Sequence, residues 1–303
     1  MIGTMFQFDW EVSLIMFMQQ LLIESPFLKT LMVIITYLGS EYFMILITLI
    51  YYFGRDKEEG VFMAISVLLT QLTGSMFKNR YQRLRPYFVN DGIECLHQVE
   101  SGDLYDPLVQ GFSFPSLHSA GITSLAISPS FYDNDARHFK IWLPIVILVM
   151  ISRFSLGVHY PTDVLFGFLL AVIVCFLVDF MDRKIEKKKM FLLIALFSMT
   201  GIFFCTSKDY YSVLGLILGF MGGNLLENKY VGFKESRDVK TVILQFLTAA
   251  VFFGATVLFL RLFKSVFAGN FYAKMLYESF YYMMGTISAI FLCPLVFRNS
   301  LFK

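Results

Sequence analysis

Residues 161–181 read PTDVLFGFLLAVIVCFLVDFM, a run that opens with proline and aspartate and then stays almost wholly apolar. A helix that crosses a bilayer needs about 20 mainly apolar residues, and this run has that length. It therefore predicts a transmembrane helix with polar residues at its first end. The residues just before it, SRFSLGVHY at 152–160, add an arginine and a histidine at the same end.

The composition of the chain extends this interpretation to most of its length. Of 303 residues, 57% are apolar and 16% charged, and the mean hydropathy is +0.65. An ordinary soluble domain is about 45–50% apolar. The predicted fold is an all-α bundle of about nine membrane spans, two of which, 116–132 and 140–156, are short and could be re-entrant or tilted. The stretches of spanning length lie at about 28–53, 60–77, 116–132, 140–156, 161–181, 189–206, 210–226, 241–262 and 276–297.

The N-terminal segment has a different pattern. Trp10, Leu14, Phe17, Leu21 and Leu22 recur at helical spacing, and the polar residues of 8–24 lie largely elsewhere. We expect residues 1–27 to form an amphipathic helix in the membrane interface, with a tenth short span as the alternative. Residues 28–182 then form the catalytic membrane core. Residues 190–303 are further membrane helices of unassigned role, through which a homodimer could form.

The basic residues indicate how the chain is oriented. If the spans alternate, the loops 54–59, 133–139, 182–188 and 227–240 share one side with the C-terminus, and together they hold most of the Lys and Arg. The positive-inside rule assigns that side to the cytoplasm. We therefore expect a multi-pass protein of the cell membrane, with the loops 78–115 and 154–160 outside. A headgroup or partner patch is the alternative for the run DRKIEKKK at 182–189.

Three polar segments fall at span ends on this outer side. In KNRYQRLRP, residues 78–86, Lys78 and Arg85 are seven residues apart, which predicts one face of a helix that Pro86 ends. In FPSLHS, residues 114–119, Ser116 and His118 occupy the first turn of a span, where backbone N–H groups suit an anion.

The third segment, SRFSLGVHYPTD at 152–163, carries the remaining candidates. Arg153 ends one span and Gly157 lies in the reversal. His159 and Asp163 flank Pro161 at the start of the next span, and four residues separate them, so their side chains can meet.

Together these residue types predict phosphate chemistry. Three cations and a helix N-terminus suit a phosphate group, because Arg can bind it bidentately and Lys as a point charge. Two histidines exceed what binding requires, so one can attack phosphorus while the other protonates the leaving oxygen. Because Asp163 can orient His159, we predict His159 as the nucleophile and His118 as the general acid.

The three segments resemble, in order and spacing, the signature of the type 2 phosphatidic acid phosphatase (PAP2, lipid phosphate phosphatase) family: K-x6-R-P, P-S-G-H and S-R-x5-H-x3-D. The resemblance covers roughly residues 28–181. It implies a phosphohistidine at His159 that is oriented by Asp163, and leaving-group protonation by His118. It also implies phosphate binding without metal or cofactor by Lys78, Arg85, Ser116 and Arg153.

Leu117 departs from this pattern, since the family usually has Gly there. A leucine keeps the backbone N–H but adds bulk, which predicts a narrower or more apolar pocket. Several other polar residues are given ordinary roles. Arg80 and Arg83 are expected to contact surface or headgroups, His97 and His138 to be structural or solvated, and Asp103 and Asp106 to be solvated loop residues. Gly215, Gly219 and Gly223 are expected to form a helix-packing seam.

The predicted function is hydrolysis of a lipid phosphate or pyrophosphate at the outer leaflet. Undecaprenyl pyrophosphate, phosphatidylglycerol phosphate and phosphatidic acid are the substrate types considered, with membrane lipids as the partners and no nucleic acid. The alternatives are a phosphotransferase with the same phosphohistidine, a phosphatase for soluble phosphate esters, and a catalytically silent lipid-binding or scaffold protein. The intact pair of histidines with Asp163 disfavours the last.

Overall fold

The computed structural model describes residues 7–98, 101–267 and 269–300, with side chains through residue 297. Over these residues every regular element is helical and no strand occurs, which confirms the predicted all-α class. The helices are α1 (Asp9–Glu24), α2 (Pro26–Tyr37), α3 (Glu41–Gly54), α4 (Lys57–Tyr81), α5 (Pro86–Val89), α6 (Pro107–Gln110), α7 (Leu117–Tyr132), α8 (Arg137–Ser155), α9 (Pro161–Lys184), α10 (Lys187–Thr200), α11 (Lys208–Tyr230), α12 (Val239–Arg261), α13 (Phe271–Ile287) and α14 (Cys293–Ser300), with a π-helical segment at Ser288–Leu292.

Among the described residues, 5 helical segments are long and apolar enough to cross a membrane. They are Lys57–Val89, Arg137–Ser155, Pro161–Lys184, Val239–Arg261 and Phe271–Phe297. Each overlaps one of the predicted stretches. Helices α1 and α2, bent by 117° at their junction, would add one more if they count as a broken span. The chain therefore has several membrane-spanning helices, and the total of about nine stays a prediction.

The structure differs from the single stretch expected at 28–53. A turn at Leu38–Ser40 separates α2 from α3, and the Ser40 hydroxyl accepts a hydrogen bond from the backbone N–H of Phe43 at the start of α3. Gly39 lets the turn pack closely against α7 and α8, because a Cβ there would lie 2.8 Å from Val149 Cγ1 and 3.1 Å from His118 Cβ. A close approach of this kind between distant segments leaves no periodic signal in the sequence.

Helix α1 lies within the segment for which an amphipathic helix was predicted, although residues 1–6 of that segment are outside the described residues. It buries one stripe, formed by Glu11, Ile15, Gln19 and Leu22, and exposes apolar side chains that include Trp10, Phe17 and Leu21. Two of its polar residues, Glu11 and Gln19, therefore face the protein, whereas Asp9, Ser13, Gln20 and Glu24 are exposed. The exposed apolar face is consistent with contact to lipid, and the interfacial position stays a prediction.

The chain divides into two compact units. The first consists of Met1–Ile45 and Thr73–Leu177, and the second of Leu46–Leu72 and Val178–Lys303. In the first unit, a core cluster of Ile15, Leu22, Tyr87, Ile93, Leu156, Val158 and Tyr160 joins α1 to the loops between helices. The predicted division into a catalytic core at 28–182 and a C-terminal part at 190–303 stays a prediction.

Helices α11 and α13 pack closely in the second unit. A Cβ on Gly215 would overlap the backbone oxygen of Ser279, one on Gly219 would lie 2.5 Å from the Met283 oxygen, and one on Gly223 would lie 3.0 Å from Ile290 Cβ. Only glycine allows backbones to approach this closely. The predicted packing seam is confirmed, and it joins helical segments of the same chain.

Candidate active site

The first motif does not form the continuous helix that its spacing predicts. Helix α4 ends at Tyr81, Gln82 adopts a left-handed conformation with φ of 49°, and Arg85 is the N-cap of α5, whose first residue is Pro86. Ser113 bonds the irregular backbone between the helices, donating from its N–H to Arg83 O at 2.8 Å and from its hydroxyl to Leu84 O at 3.2 Å. The prediction that Pro86 ends the helix carrying Lys78 is therefore wrong.

Lys78 and Arg85 are nevertheless both buried and fixed by backbone oxygens. Lys78 Nζ donates to Phe112 O at 2.7 Å. The Arg85 guanidinium donates to Val158 O at 2.8 Å and to the carbonyls of Gln110 and Gly111 at 2.8–3.1 Å. Arg85 thereby ties the loop before α7 to the segment that carries His159.

The second motif starts α7, as its sequence predicts. Ser116 is the fully buried N-cap, and its hydroxyl accepts from Ser119 N at 3.4 Å. The Ser116 N–H donates to Asp163 O at 3.0 Å, so it is engaged within the protein. His118, in the first turn of α7, is half-buried and packs against Gly39.

Leu117 points toward α4. A Cβ built on Gly74 of that helix would overlap Leu117 Cδ2 and lie 3.7 Å from Pro115 Cγ. The side chain that replaces the usual glycine is thus accommodated by a glycine on the neighbouring helix. The narrower pocket expected from Leu117 stays a prediction.

The third motif brings a cation, a histidine and a carboxylate together. Arg153, in the last turn of α8, is buried and donates from Nη1 to Thr36 Oγ1 at 2.6 Å, while its Nε has no hydrogen-bond partner. Gly157 takes φ of 78°, and a Cβ there would overlap Glu94 O, so the reversal requires glycine. His159 and Asp163 are both buried.

The geometry of His159 and Asp163 suits a nucleophile and its orienting carboxylate. His159 Nδ1 lies 3.6 Å from Asp163 Oδ2, which also accepts from Tyr160 N at 2.7 Å. The same Nδ1 is a buried atom without a hydrogen-bond partner. Contacts of this kind are often long before substrate binds and tighten afterwards. Because Nδ1 faces the carboxylate, Nε2 is the nitrogen left for attack.

The charges around His159 favour its neutral form. Burial is the main cause, and the positive charges of Arg85, Arg153 and Lys78 add to it, so that the pKa of His159 is held well below its ordinary value. A neutral imidazole is the form that can attack phosphorus. Three cations from two of the motifs therefore act on one histidine, although their roles stay predictions.

Arg83 is a residue that sequence reasoning misjudged. It was expected at the surface, but it is buried and bonds to Asp163 Oδ1 at 2.6 Å and to Glu11 Oε2 at 2.8 Å. Arg80, which lies two residues after Lys78 in α4, is exposed as expected. No periodic signal separates the two arginines, because Arg83 follows the end of α4.

The remaining loop residues take ordinary roles. Asp103 and Asp106 cap turns through the backbone N–H groups of Tyr105 and Leu108, and His138 pairs with Asp133 at 3.0 Å. His97 lies edge-on against the Tyr37 ring, with 5.6 Å between ring centroids. These contacts agree with the structural or loop roles predicted for them.

Comparison with known proteins identifies the class. The sequence profile of the PAP2 superfamily matches residues 59–186. The chain is 31% identical over 183 residues to phosphatidylglycerophosphatase B of Bacillus subtilis, a match that covers 55% of this chain and 81% of that protein. It is also 31% identical over 160 residues to undecaprenyl-diphosphatase of Sulfolobus acidocaldarius, covering 50% of this chain and 68% of that protein. The chain therefore belongs to the PAP2 superfamily.

Two further similarities complete the comparison. Over 129 residues the chain is 31% identical to lipid A 4'-phosphatase of Porphyromonas gingivalis, covering 41% of this chain and 52% of that protein. A solved structure, the transmembrane PAP2 type phosphatidylglycerolphosphate phosphatase from Bacillus subtilis, aligns with a TM-score of 0.43 and 27% identity, over 59% of this chain and 90% of that one. The protein is a membrane phosphatase, that is, a hydrolase of phosphoric monoesters or diphosphates.

Proposed function

We propose that the protein hydrolyses a lipid phosphate or lipid pyrophosphate at the outer face of the membrane, through a phosphohistidine on His159 and without metal or cofactor. The proposal rests on the charged groups that surround His159. It has Asp163 on its Nδ1 side, and the charges of Lys78, Arg85 and Arg153 act on it together. A phosphate held by these cations would meet a neutral imidazole.

Each step assigns a proton and a bond. His159 Nε2 attacks phosphorus, the bond from phosphorus to the leaving oxygen breaks, and His118 donates its proton to that oxygen. The positive charge on the phosphohistidine faces Asp163 Oδ2. Water then attacks phosphorus, His118 takes the proton of that water, and the N–P bond breaks to release inorganic phosphate. Lys78, Arg85, Ser116 and Arg153 hold the phosphate oxygens throughout.

The lipid nature of the substrate is supported by the setting of the site. Arg153 lies in the last turn of α8 and Asp163 in the first turn of α9, and both helices are apolar and long enough to span a bilayer. A hydrocarbon tail can therefore stay in the membrane while its phosphate reaches His159. The relatives are a phosphatidylglycerophosphatase, an undecaprenyl-diphosphatase and a lipid A 4'-phosphatase, so phosphatidylglycerol phosphate, undecaprenyl pyrophosphate and lipid A phosphate are the substrates to test.

The chemical test is release of inorganic phosphate by the purified protein in detergent micelles. The panel contains phosphatidylglycerol phosphate, undecaprenyl pyrophosphate, phosphatidic acid and lipid A, each with and without EDTA. We expect turnover of at least one lipid in EDTA, and a phosphoenzyme that acid hydrolyses and base preserves. His159→Ala should abolish both. Turnover retained by His159→Ala would refute the phosphohistidine, and transfer of the phosphoryl group to an added alcohol in place of water would identify a phosphotransferase.

The orientation needs a separate test. In a variant without the four natural cysteines, Asp103→Cys places a thiol on the exposed loop before α7, and Lys188→Cys places one in the basic run. A membrane-impermeant maleimide should label the first in intact cells and the second only after lysis. The reverse pattern would place the active site on the cytoplasmic face.

A further inference from the structure

Helix α1 is connected to the candidate nucleophile by a buried chain of charged groups. Glu11 Oε2 accepts from Arg83 Nη2 at 2.8 Å, and Arg83 Nη1 donates to Asp163 Oδ1 at 2.6 Å. The other oxygen of Asp163 lies 3.6 Å from His159 Nδ1. Glu11 and Asp163 are fully buried and Arg83 is 3% exposed. The chain of contacts therefore runs from the N-terminal helix to the imidazole without passing through solvent.

Neighbouring groups fix this chain of contacts in one geometry. Thr162 donates from its N–H and its hydroxyl to Glu11 Oε1, at 3.0 and 2.6 Å, and its hydroxyl accepts from Arg83 Nη1 at 2.8 Å. The Arg83 guanidinium lies 3.9 Å above the Tyr160 ring centroid. Glu11 thus satisfies an N–H in the first turn of α9, the helix that carries Asp163. Glu11, Arg83 and Asp163 are therefore all hydrogen-bonded within the protein, and a buried polar network of this kind is rigid.

Two consequences for Asp163 follow from this arrangement. Because Arg83 holds Oδ1 and Tyr160 N holds Oδ2, the carboxylate cannot rotate away from His159 Nδ1. The charge of Arg83 alone would draw electron density away from Oδ2 and weaken its contact with the imidazole. Glu11 offsets that charge, so the group of Glu11, Arg83 and Asp163 keeps a net negative charge beside the histidine.

We propose that Glu11 and Arg83 are positioning residues for the His159–Asp163 pair, and that α1 therefore contributes to the active site through Glu11. Glu11 lies outside the three motifs, and Arg83 occupies one of the six unspecified positions of K-x6-R-P. The inference rests on the proposed role of His159. A second element supports α1 as a fixed part of the site: Gln19 bonds both backbone groups of Glu94, at 2.6 and 3.0 Å, beside the Gly157 reversal.

The test compares variants of the full-length protein on the lipid panel in EDTA. Arg83→Ala should lower kcat about 100-fold and Glu11→Gln about 10-fold, each with KM changed less than about 3-fold, because positioning partners act on the chemical step. Arg83→Lys should recover part of the loss, since one ammonium cannot hold both carboxylates. The matched controls are Arg80→Ala on the same segment and Glu24→Gln on the same helix, both exposed, and both should keep wild-type kcat.

A double variant separates positioning from simple structural support. If Glu11 acts through Arg83, then Glu11→Gln combined with Arg83→Ala should be no slower than Arg83→Ala alone, within about 3-fold. Losses that multiply, or losses that appear in KM alone, would overturn the proposal. If Arg83→Ala does not fold, Arg83→Lys with Glu11→Gln gives the same comparison. Wild-type kcat in these variants, with His159→Ala inactive, would refute the positioning role and leave the proposed function intact.

Discussion

Two buried cations of the candidate site, Arg85 and Arg153, are held differently from the buried Lys57 of the second unit. In the second unit, Lys57 Nζ lies 2.5 Å from Glu227 Oε2 and donates to Asn228 Oδ1 at 2.7 Å. In the first unit, Arg85 donates to backbone carbonyls and Arg153 to a hydroxyl. A carboxylate partner cancels the charge of a cation, whereas a neutral oxygen fixes its position and leaves its charge to act on a phosphate.

The later half of the chain also contains buried ionisable residues. Glu227 and Glu278 are both buried there. Glu278 lies 3.4 Å from Lys264 Nζ, and Glu227 pairs with Lys57 from a part of the chain that precedes all three motifs. Each carboxylate has a lysine partner, so these groups are better explained as structural pairs than as a second catalytic centre.

Of the changes that distinguish the two kinds of buried cation, the largest expected effect is the loss of activity when Arg153 is replaced. Arg153→Gln removes a charge that acts on His159 and should lower kcat/KM on the order of 100-fold, with the thermal unfolding midpoint in detergent nearly unchanged. Lys57→Gln is the matched change in the second unit. It leaves Glu227 buried without its cation and should cost about 3–5 kcal/mol of stability, with kcat/KM of the folded fraction within about 2-fold of wild type. If Arg153→Gln lowered mainly stability and Lys57→Gln lowered mainly kcat/KM, the proposed difference between the two kinds of buried cation would be wrong.

Some features of the site were predictable from the sequence and others were not. Helix class, the start of α7 and the approach of His159 to Asp163 were predictable, because each depends on residues within about one or two turns of each other. The pairing of Arg83 with Glu11 was not, since 72 positions separate them. The positive φ of Gln82, at which α4 ends early, was not predictable either, because the residue at that position is not a glycine. Contacts between distant segments decide such positions, and a single sequence does not record them.

The pH dependence of turnover tests the charge that acts on His159. The groups facing it are Lys78, Arg85, Arg153, His118 and Asp163. Because the pKa of His159 is lowered, the acid limb of kcat/KM, along which its imidazole becomes protonated, should lie at lower pH than that of an ordinary histidine. Lys78→Met removes one positive charge, so the pKa of His159 rises and the acid limb should move to higher pH, by on the order of half to one unit.

The control for that shift is Arg80→Met, which removes an exposed cation from the same helix and should leave the acid limb in place. Both variants are measured against wild type with one lipid substrate, so that ionisation of the phosphate itself cancels from the comparison. An acid limb that Lys78→Met does not move would show that the neutral form of His159 does not limit turnover.

The smallest expected effect concerns the contact between Leu117 and Gly74. Alanine favours a helix over glycine by about 1 kcal/mol, yet a Cβ on Gly74 would overlap Leu117 Cδ2. Gly74→Ala should therefore displace the first turn of α7, which carries His118, and lower kcat/KM about 3-fold to 5-fold. Adding Leu117→Gly removes the overlap and should restore kcat/KM, with α4 retaining the helical gain.

Leu117→Gly alone should widen the range of lipids turned over, and unchanged activity on the whole panel would show that the leucine does not narrow the pocket.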